Sequence, residues 1–176
     1  IPTRGVAGGV VCEARECTPE ILRSMATFLI ERGGPLLREL PIAKILRLLD
    51  RASLLWLDPR YEKRALAIEA IHRITGFSRE MVIHSMDLEM RSSRGLDLWR
   101  TLLTELGNPK VLDRAGWAPT GEARVAAFGP ALVSAVFSSN IPALPHLSYM
   151  RGLAVKTPVL GKVATNEPVF AGLYID

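Results

Sequence analysis

The chain has 176 residues, 48% of them hydrophobic and 23% charged, with a formal net charge of +4. That apolar content supplies a sizeable core and excludes global disorder, while no apolar run approaches the roughly 20 residues of a membrane-spanning helix. Lysines and arginines are scattered rather than gathered on one face or arm, which argues against nucleic-acid binding; a mildly basic surface also suits nucleotide or coenzyme A phosphates.

Residues 1–17 contain Gly5, Gly8 and Gly9 and show no helical period, so they predict an extended arm with one short strand through Val10 and Val11. Gly5-Val6-Ala7-Gly8-Gly9 is not read as a phosphate loop, because no clear strand precedes it and no Lys-Ser or Lys-Thr closes it. Cys12 and Cys17 are the two cysteines. They make no disulfide framework and, with no signal-peptide pattern, point to the cytoplasm. A start at Ile1 rather than Met predicts that the chain has been cut or processed there.

Residues 18–107 read as a helical region. Thr18-Pro19 is an N-cap followed by proline in the first helical position, and Ile21, Met25, Phe28 and Leu29 recur at helical spacing until Gly33-Gly34 stops the helix. A second helix runs from about Pro41 to Leu57 with Ile42, Ile45, Leu46, Leu49 and Trp56 on one face. Asp58-Pro59 opens a third, ending at Gly76. Ser78 caps a fourth, and Leu96, Trp99, Leu103 and Leu106 mark a fifth that ends at Gly107. In each cap a side-chain oxygen accepts from backbone N–H groups that have no partner within the helix. His72, among Ile68, Ile71 and Ile74, reads as a half-buried packing residue. His84 falls on a separate helix, and neither histidine has a Glu or Cys at ligand spacing, so no metal site is expected. Met25, Met81, Met86 and Met90 read as core filler.

Residues 108–123 form a loop, dense in turn formers at Asn108-Pro109, Gly116 and Ala118-Pro119. In residues 124–176 the pattern changes. Arg124–Gly129 and Leu132–Phe137 predict short buried strands, Leu144–Val155 an apolar helix, Pro158–Lys162 another strand, and a last helix begins near Glu167-Pro168 with Asn166 as its cap. Strand, helix and strand in this order make a βαβ unit with parallel strands. The fold class is therefore α/β, a mostly helical first part followed by an incomplete parallel βαβ unit that needs something else to complete its sheet.

Phe137-Ser-Ser-Asn-Ile-Pro-Ala-Leu-Pro145 follows a strand and precedes an apolar helix, and Thr157-Pro-Val-Leu-Gly-Lys-Val-Ala-Thr-Asn-Glu-Pro168 comes one helix later. This pair resembles the first half of the cofactor domain of aldehyde dehydrogenases, where one strand ends in an Asn-aromatic-Pro turn and the next in Lys-Pro-Ser-Glu. Ser139-Asn140-Ile141-Pro142 with Arg151-Gly152-Leu153-Ala154-Val155-Lys156 is closer to the acyl-CoA reductase branch, which includes the fatty-acyl reductase of bacterial bioluminescence. The specific match covers about Phe128 to Phe170. The helical region before it fits in kind, without a diagnostic motif.

The resemblance implies the amino-terminal portion of an enzyme that converts fatty acyl-CoA or another acyl thioester to aldehyde through a cysteine thioester, using NADP(H). Asn140 then takes the catalytic role of oxyanion donor, and losing one such donor typically costs ~10²–10³ in rate. From the residues alone, Asn140 is a turn asparagine capping its own loop and Lys162 an ordinary strand-end lysine. By the resemblance, Lys162 contacts the adenosine end of the cofactor, Ser138 and Pro142 lie along its path, and Thr165 stands where the family has a Glu that repels a 2′-phosphate. Val163 replaces the motif's proline, and Glu167, two residues past Thr165, works against the preference for NADP(H). The family's nucleophile is absent from these residues, so the chain alone is expected to be inactive. The implied partners are the remainder of the same enzyme, an acyl-protein synthetase and further copies in a homo-oligomer. An alternative reading is a helical protein-interaction module with a vestigial nucleotide-binding tail.

Overall fold

The computed structural model describes residues 2–15, 17–118 and 120–176. It opens with an antiparallel hairpin of β1 (Pro2–Ala7) and β2 (Val10–Arg15), so the expected arm holds two strands rather than one. Gly8 and Gly9 join them with φ of 55° and 76°, the left-handed backbone that a two-residue hairpin turn of the Gly-Gly type requires. Gly8 also lies so close to the Arg73 carbonyl that any Cβ there would collide with it.

Thr18 caps α1 (Pro19–Phe28), its hydroxyl oxygen accepting from the Ile21 N–H at 3.4 Å. Gly33-Gly34 does not stop the helix. The chain runs through a π-turn at Leu29–Gly33 into α2 (Gly34–Glu39), with both glycines in the right-handed region. Pro35 gives the reason. Its ring would clash with the carbonyl four residues back in a regular helix, and the wider turn, closed by the Gly34 N–H on the Leu29 carbonyl, makes room for it. The apolar residues Ile21, Met25 and Phe28 stay exposed, so they form no core.

In α3 (Ile42–Leu57) the expected face is buried, Ser53 with it. The next helix, α4 (Glu62–Thr75), starts later than Asp58-Pro59 suggests, because Asp58 closes α3 and its carboxylate folds back to accept from the Arg60 N–H at 2.9 Å. Gly76 ends α4 with φ 77°. Ser78 caps α5 (Arg79–Ser92) by accepting from the Met81 N–H at 3.1 Å, and α6 (Gly95–Leu106) ends at Gly107. Met86 and Met90 are core residues, whereas Met25 and Met81 are each 45% exposed and fill no core. His72 is half-buried with Nδ1 2.6 Å from the Phe77 carbonyl oxygen, and His84 is exposed.

Beyond a 3₁₀ turn at Pro109–Leu112 comes a small hairpin of β3 (Gly116–Trp117) and β4 (Arg124–Val125). The buried strand expected over 124–129 is thus reduced to two exposed residues. Past them the Ala127 N–H is drawn to the Val111 carbonyl at 2.9 Å, and Phe128 is 85% exposed. Strands β5 (Val133–Val136) and β6 (Val159–Lys162) pair in parallel around α7 (Pro145–Ala154), and α8 (Val169–Ile175) follows. One face of this pair is covered: Ala135, Phe137 and Val159 pack with Tyr149 and Ala171. The other is open, with Val136 77% exposed, so β5 is half-buried rather than buried.

The helices and the βαβ unit share their cores. Trp56, Ile71, Val82, Met86 and Met90 pack with Ala143 and Phe170. Ile42, Ile45, Leu46, Leu49 and Leu102 pack with Met150 and Ala154. The apolar faces of α3 to α6 are therefore closed by residues from the far side of the 108–123 loop. Among the described residues no helix is long and apolar enough to cross a membrane.

Candidate functional site

In β5 and β6 Val136 is in register with Lys162, and the Phe137 N–H donates to the Lys162 carbonyl at 3.0 Å. The carboxyl ends of the two strands are therefore level. That is the end of a parallel α/β sheet where ligands bind. Phe137 anchors the end of β5, buried with its ring 5.3 Å from Tyr149 in an edge-on contact. Gly161 makes this possible, because a Cβ there would collide with the Phe137 ring. Immediately after Phe137 the chain leaves the core, and Ser138, Asn140 and Ile141 are exposed.

The Ser138 hydroxyl donates to Asn140 Oδ1 at 2.6 Å. With the amide oxygen engaged, the Asn140 side chain offers its N–H donors from an exposed turn. Pro142 is fully buried, so it shapes the turn from beneath and presents no surface to a cofactor. Ala143 follows in the left-handed region, φ 66°, and α7 begins at Pro145.

On the neighbouring tip Lys162 is exposed and forms no ion pair among the described residues. The chain then turns tightly, with a bridge between Ala164 and Glu167 that leaves Thr165 exposed at the bend. Glu167, not Asn166, caps α8: one carboxylate oxygen accepts from the Val169 and Phe170 N–H groups, each at 2.9 Å. Only 4% of Glu167 is exposed. Burial pushes its carboxyl above the usual range, and the two backbone donors oppose that shift. The tips thus present the Asn140 amide N–H groups, the Lys162 ammonium and the Thr165 hydroxyl, with the Ser138 proton committed to Asn140 and the Glu167 carboxylate turned inward. That donor set fits a dinucleotide, whose phosphates and ribose oxygens are acceptors.

Two buried polar groups beneath these tips carry no motif. His146, fully buried in α7, has Nε2 2.8 Å from the Ser93 hydroxyl and Nδ1 3.1 Å from the Ala143 carbonyl oxygen. Burial pushes its pKa down to about 4. Lys156, in the turn before β6, is buried against Asp113. A histidine one residue into a helix after a proline-flanked turn is the available sequence signal for the first. The second joins residues too far apart in the chain for any spacing to show. Cys12 lies half-buried on β2 and Cys17 is exposed ahead of Thr18; both are free thiols. Among the described residues no group of three or more His, Cys, Asp or Glu could hold a metal ion.

Helices packed on a parallel strand pair, with polar turns at the carboxyl ends, define a mixed α/β chain. The model of the acyl-CoA reductase (LuxC) family matches residues 37–175, and the chain belongs to that family. It is similar to the long-chain acyl-protein thioester reductase of Photorhabdus luminescens, with 25% identity over 134 residues that cover 76% of this chain and 28% of that protein. The chain therefore spans little more than a quarter of the length of this curated relative. The family match runs from α2 to the end of α8, taking in the helices and the βαβ unit alike. Together with the shared cores, this makes the βαβ unit an integral part of the packing of the helices.

Proposed function

We propose that the chain is part of an NADP(H)-dependent, aldehyde dehydrogenase-like reductase that converts a fatty acyl thioester, on coenzyme A or on a protein, to the aldehyde. The observation that carries this reading is the family match across 37–175, with Asn140 and Lys162 on adjoining turns at level strand ends. A nucleophilic cysteine elsewhere in the complete enzyme takes the acyl group as a thioester. The bound nicotinamide would supply the hydride that reduces it.

This chain's own residues hold and polarise. Asn140 directs its amide N–H at the acyl carbonyl oxygen, where negative charge grows as the carbonyl carbon becomes tetrahedral. Ser138 keeps that amide oriented by binding its oxygen. Lys162 meets the acceptors at the adenosine end of the cofactor, and neutral Thr165 leaves room for a 2′-phosphate. Glu167, tied into the first turn of α8, does not offset that choice.

On this reading residues 1–176 alone do not turn over. In the complete enzyme Asn140→Ala lowers the rate of acyl reduction ~10²–10³-fold while leaving cofactor binding and circular dichroism unchanged. An Asn140→Ala enzyme of wild-type kcat would remove the oxyanion assignment, and turnover by the 176-residue chain would remove the division of parts.

A further inference from the structure

The turn that carries Asn140 contains a costly backbone. Ala143 has φ 66°, a left-handed backbone that a residue with a Cβ adopts only against steric cost. Something must hold it there. Its carbonyl accepts from the His146 backbone N–H at 3.2 Å and meets His146 Nδ1 at 3.1 Å. A carbonyl can only accept, so the Ala143 contact places the ring proton on Nδ1; Nε2 is then the acceptor, and the Ser93 hydroxyl, which also has the Glu89 carbonyl within 3.1 Å, turns its one proton to the nearer Nε2 at 2.8 Å. Ser93 sits at the end of α5, and its own carbonyl accepts from the Ser53 hydroxyl of α3 at 3.4 Å. The chain Ser53, Ser93, His146, Ala143 thus fastens the turn to two helices of the first part. All four residues are buried.

Between Ala143 and Asn140 lie only Ile141 and Pro142. The proline fixes its own φ and restricts the residue before it, so a shift at Ala143 is passed to Asn140 with little slack. The groups facing the imidazole are Glu89 of α5, whose backbone carbonyl is a further acceptor beside the ring and whose carboxylate is 3.8 Å from Nδ1, the charge of Arg151 on α7, and the Tyr174 ring of α8.

We infer that His146 is a positioning residue for the proposed oxyanion donor: its Nδ1–H, oriented by Ser93, holds the Ala143 carbonyl and thereby sets where Asn140 aims its amide. This rests on the reading of Asn140 given above. A misplacement of about 1 Å at a reacting centre is enough to cost ~10²-fold in rate.

Asn and Gln separate the two ring nitrogens, since the Asn amide falls near Nδ1 and the Gln amide near Nε2. In the complete reductase His146→Gln is expected to lower kcat ~10-fold or more, with KM for acyl substrate and NADPH unchanged. His146→Asn, which restores a donor to Ala143, recovers most of that loss. Equal kcat for the two variants, or a KM effect without a kcat effect, overturns the inference. If His146→Gln does not fold, Ser93→Ala decides: lower kcat at constant KM supports the inference and wild-type kcat overturns it. Asn140→Ala measured alongside separates the two levels. Full activity there defeats the oxyanion reading itself, whereas its inactivity beside a fully active His146→Gln defeats this inference alone.

Discussion

Lys156 Nζ lies 2.6 Å from Asp113 Oδ1, and the same oxygen accepts from the Ile42 N–H at 2.8 Å. Helix α3 has no side-chain cap of its own at Pro41, so a carboxylate far along the chain supplies one, where the helix end favours negative charge. The Lys156 ammonium also donates to the Arg38 carbonyl at 3.2 Å, at the end of α2. One buried ion pair therefore joins α2, α3 and the turn that launches β6.

Breaking that pair from one side leaves a partly buried carboxylate with a single neutral donor. Removing one partner of a buried pair costs ~3–5 kcal/mol, and the residual solvent access of Asp113 reduces this to about 2–3 kcal/mol. Lys156→Met is expected to destabilise by that amount in urea unfolding. Adding Asp113→Asn, which keeps the acceptor for Ile42, should restore part of it. A double variant no more stable than Lys156→Met alone would show that the charge pair is not what couples these elements.

On the proposed reading, the preference for NADP(H) depends on one exposed position. Thr165 stands at the bend after β6, and the nearest carboxylate in sequence, Glu167, is spent on the first turn of α8. A new carboxylate at Thr165 would face a 2′-phosphate with like charge, and a repulsion of ~1.4 kcal/mol is tenfold in affinity. In the complete enzyme Thr165→Glu should raise KM for NADPH ~10-fold or more relative to KM for NADH. An unchanged ratio of the two constants would place the adenosine end elsewhere.

What could be read in advance follows the range of the forces. Local signals held wherever one side chain or one backbone angle decides: Ser78 and Thr18 as caps, Gly76 and Gly107 as stops, and the apolar period of Ile42 to Trp56. They failed where a second signal competed. Pro35 turned a Gly-Gly stop into a widened helix, Asp58 spent its carboxylate on Arg60, and Glu167 outbid Asn166 for the end of α8. The parallel pairing of β5 with β6 was legible from the order of elements. Their open face was not, because a run such as Val133–Val136 reads the same whether one face is covered or two. Of the site, the turn residues were visible as motif positions. Their supports, Ser93 under His146 and Asp113 under Lys156, were invisible because they meet only in three dimensions.

His146 makes a separate demand on stability. Burial holds its pKa down to about 4 against an ordinary 6.5, so the unfolded chain takes up a proton in a range where the folded chain does not. Folding is favoured fully above the unfolded value, and that contribution is lost as the pH falls from about 6.5 toward about 4. Between pH 7.5 and pH 5 the loss is roughly 2 kcal/mol. Glu89 and Glu167, both pushed up by burial, act with the opposite sign, since their contribution is present at low pH and lost as pH rises through their folded values. Asp50 is held down, chiefly by the Arg94 hydrogen bond, and loses its contribution only below the ordinary carboxylate range. Comparing wild type with His146→Asn cancels the carboxylates and leaves the imidazole. The expected result is a gap in unfolding free energy that narrows in favour of the variant by roughly 2 kcal/mol on going from pH 7.5 to pH 5. Parallel stability curves for the two proteins over that range would mean that the ring takes up a proton as readily in the folded core as in the unfolded chain.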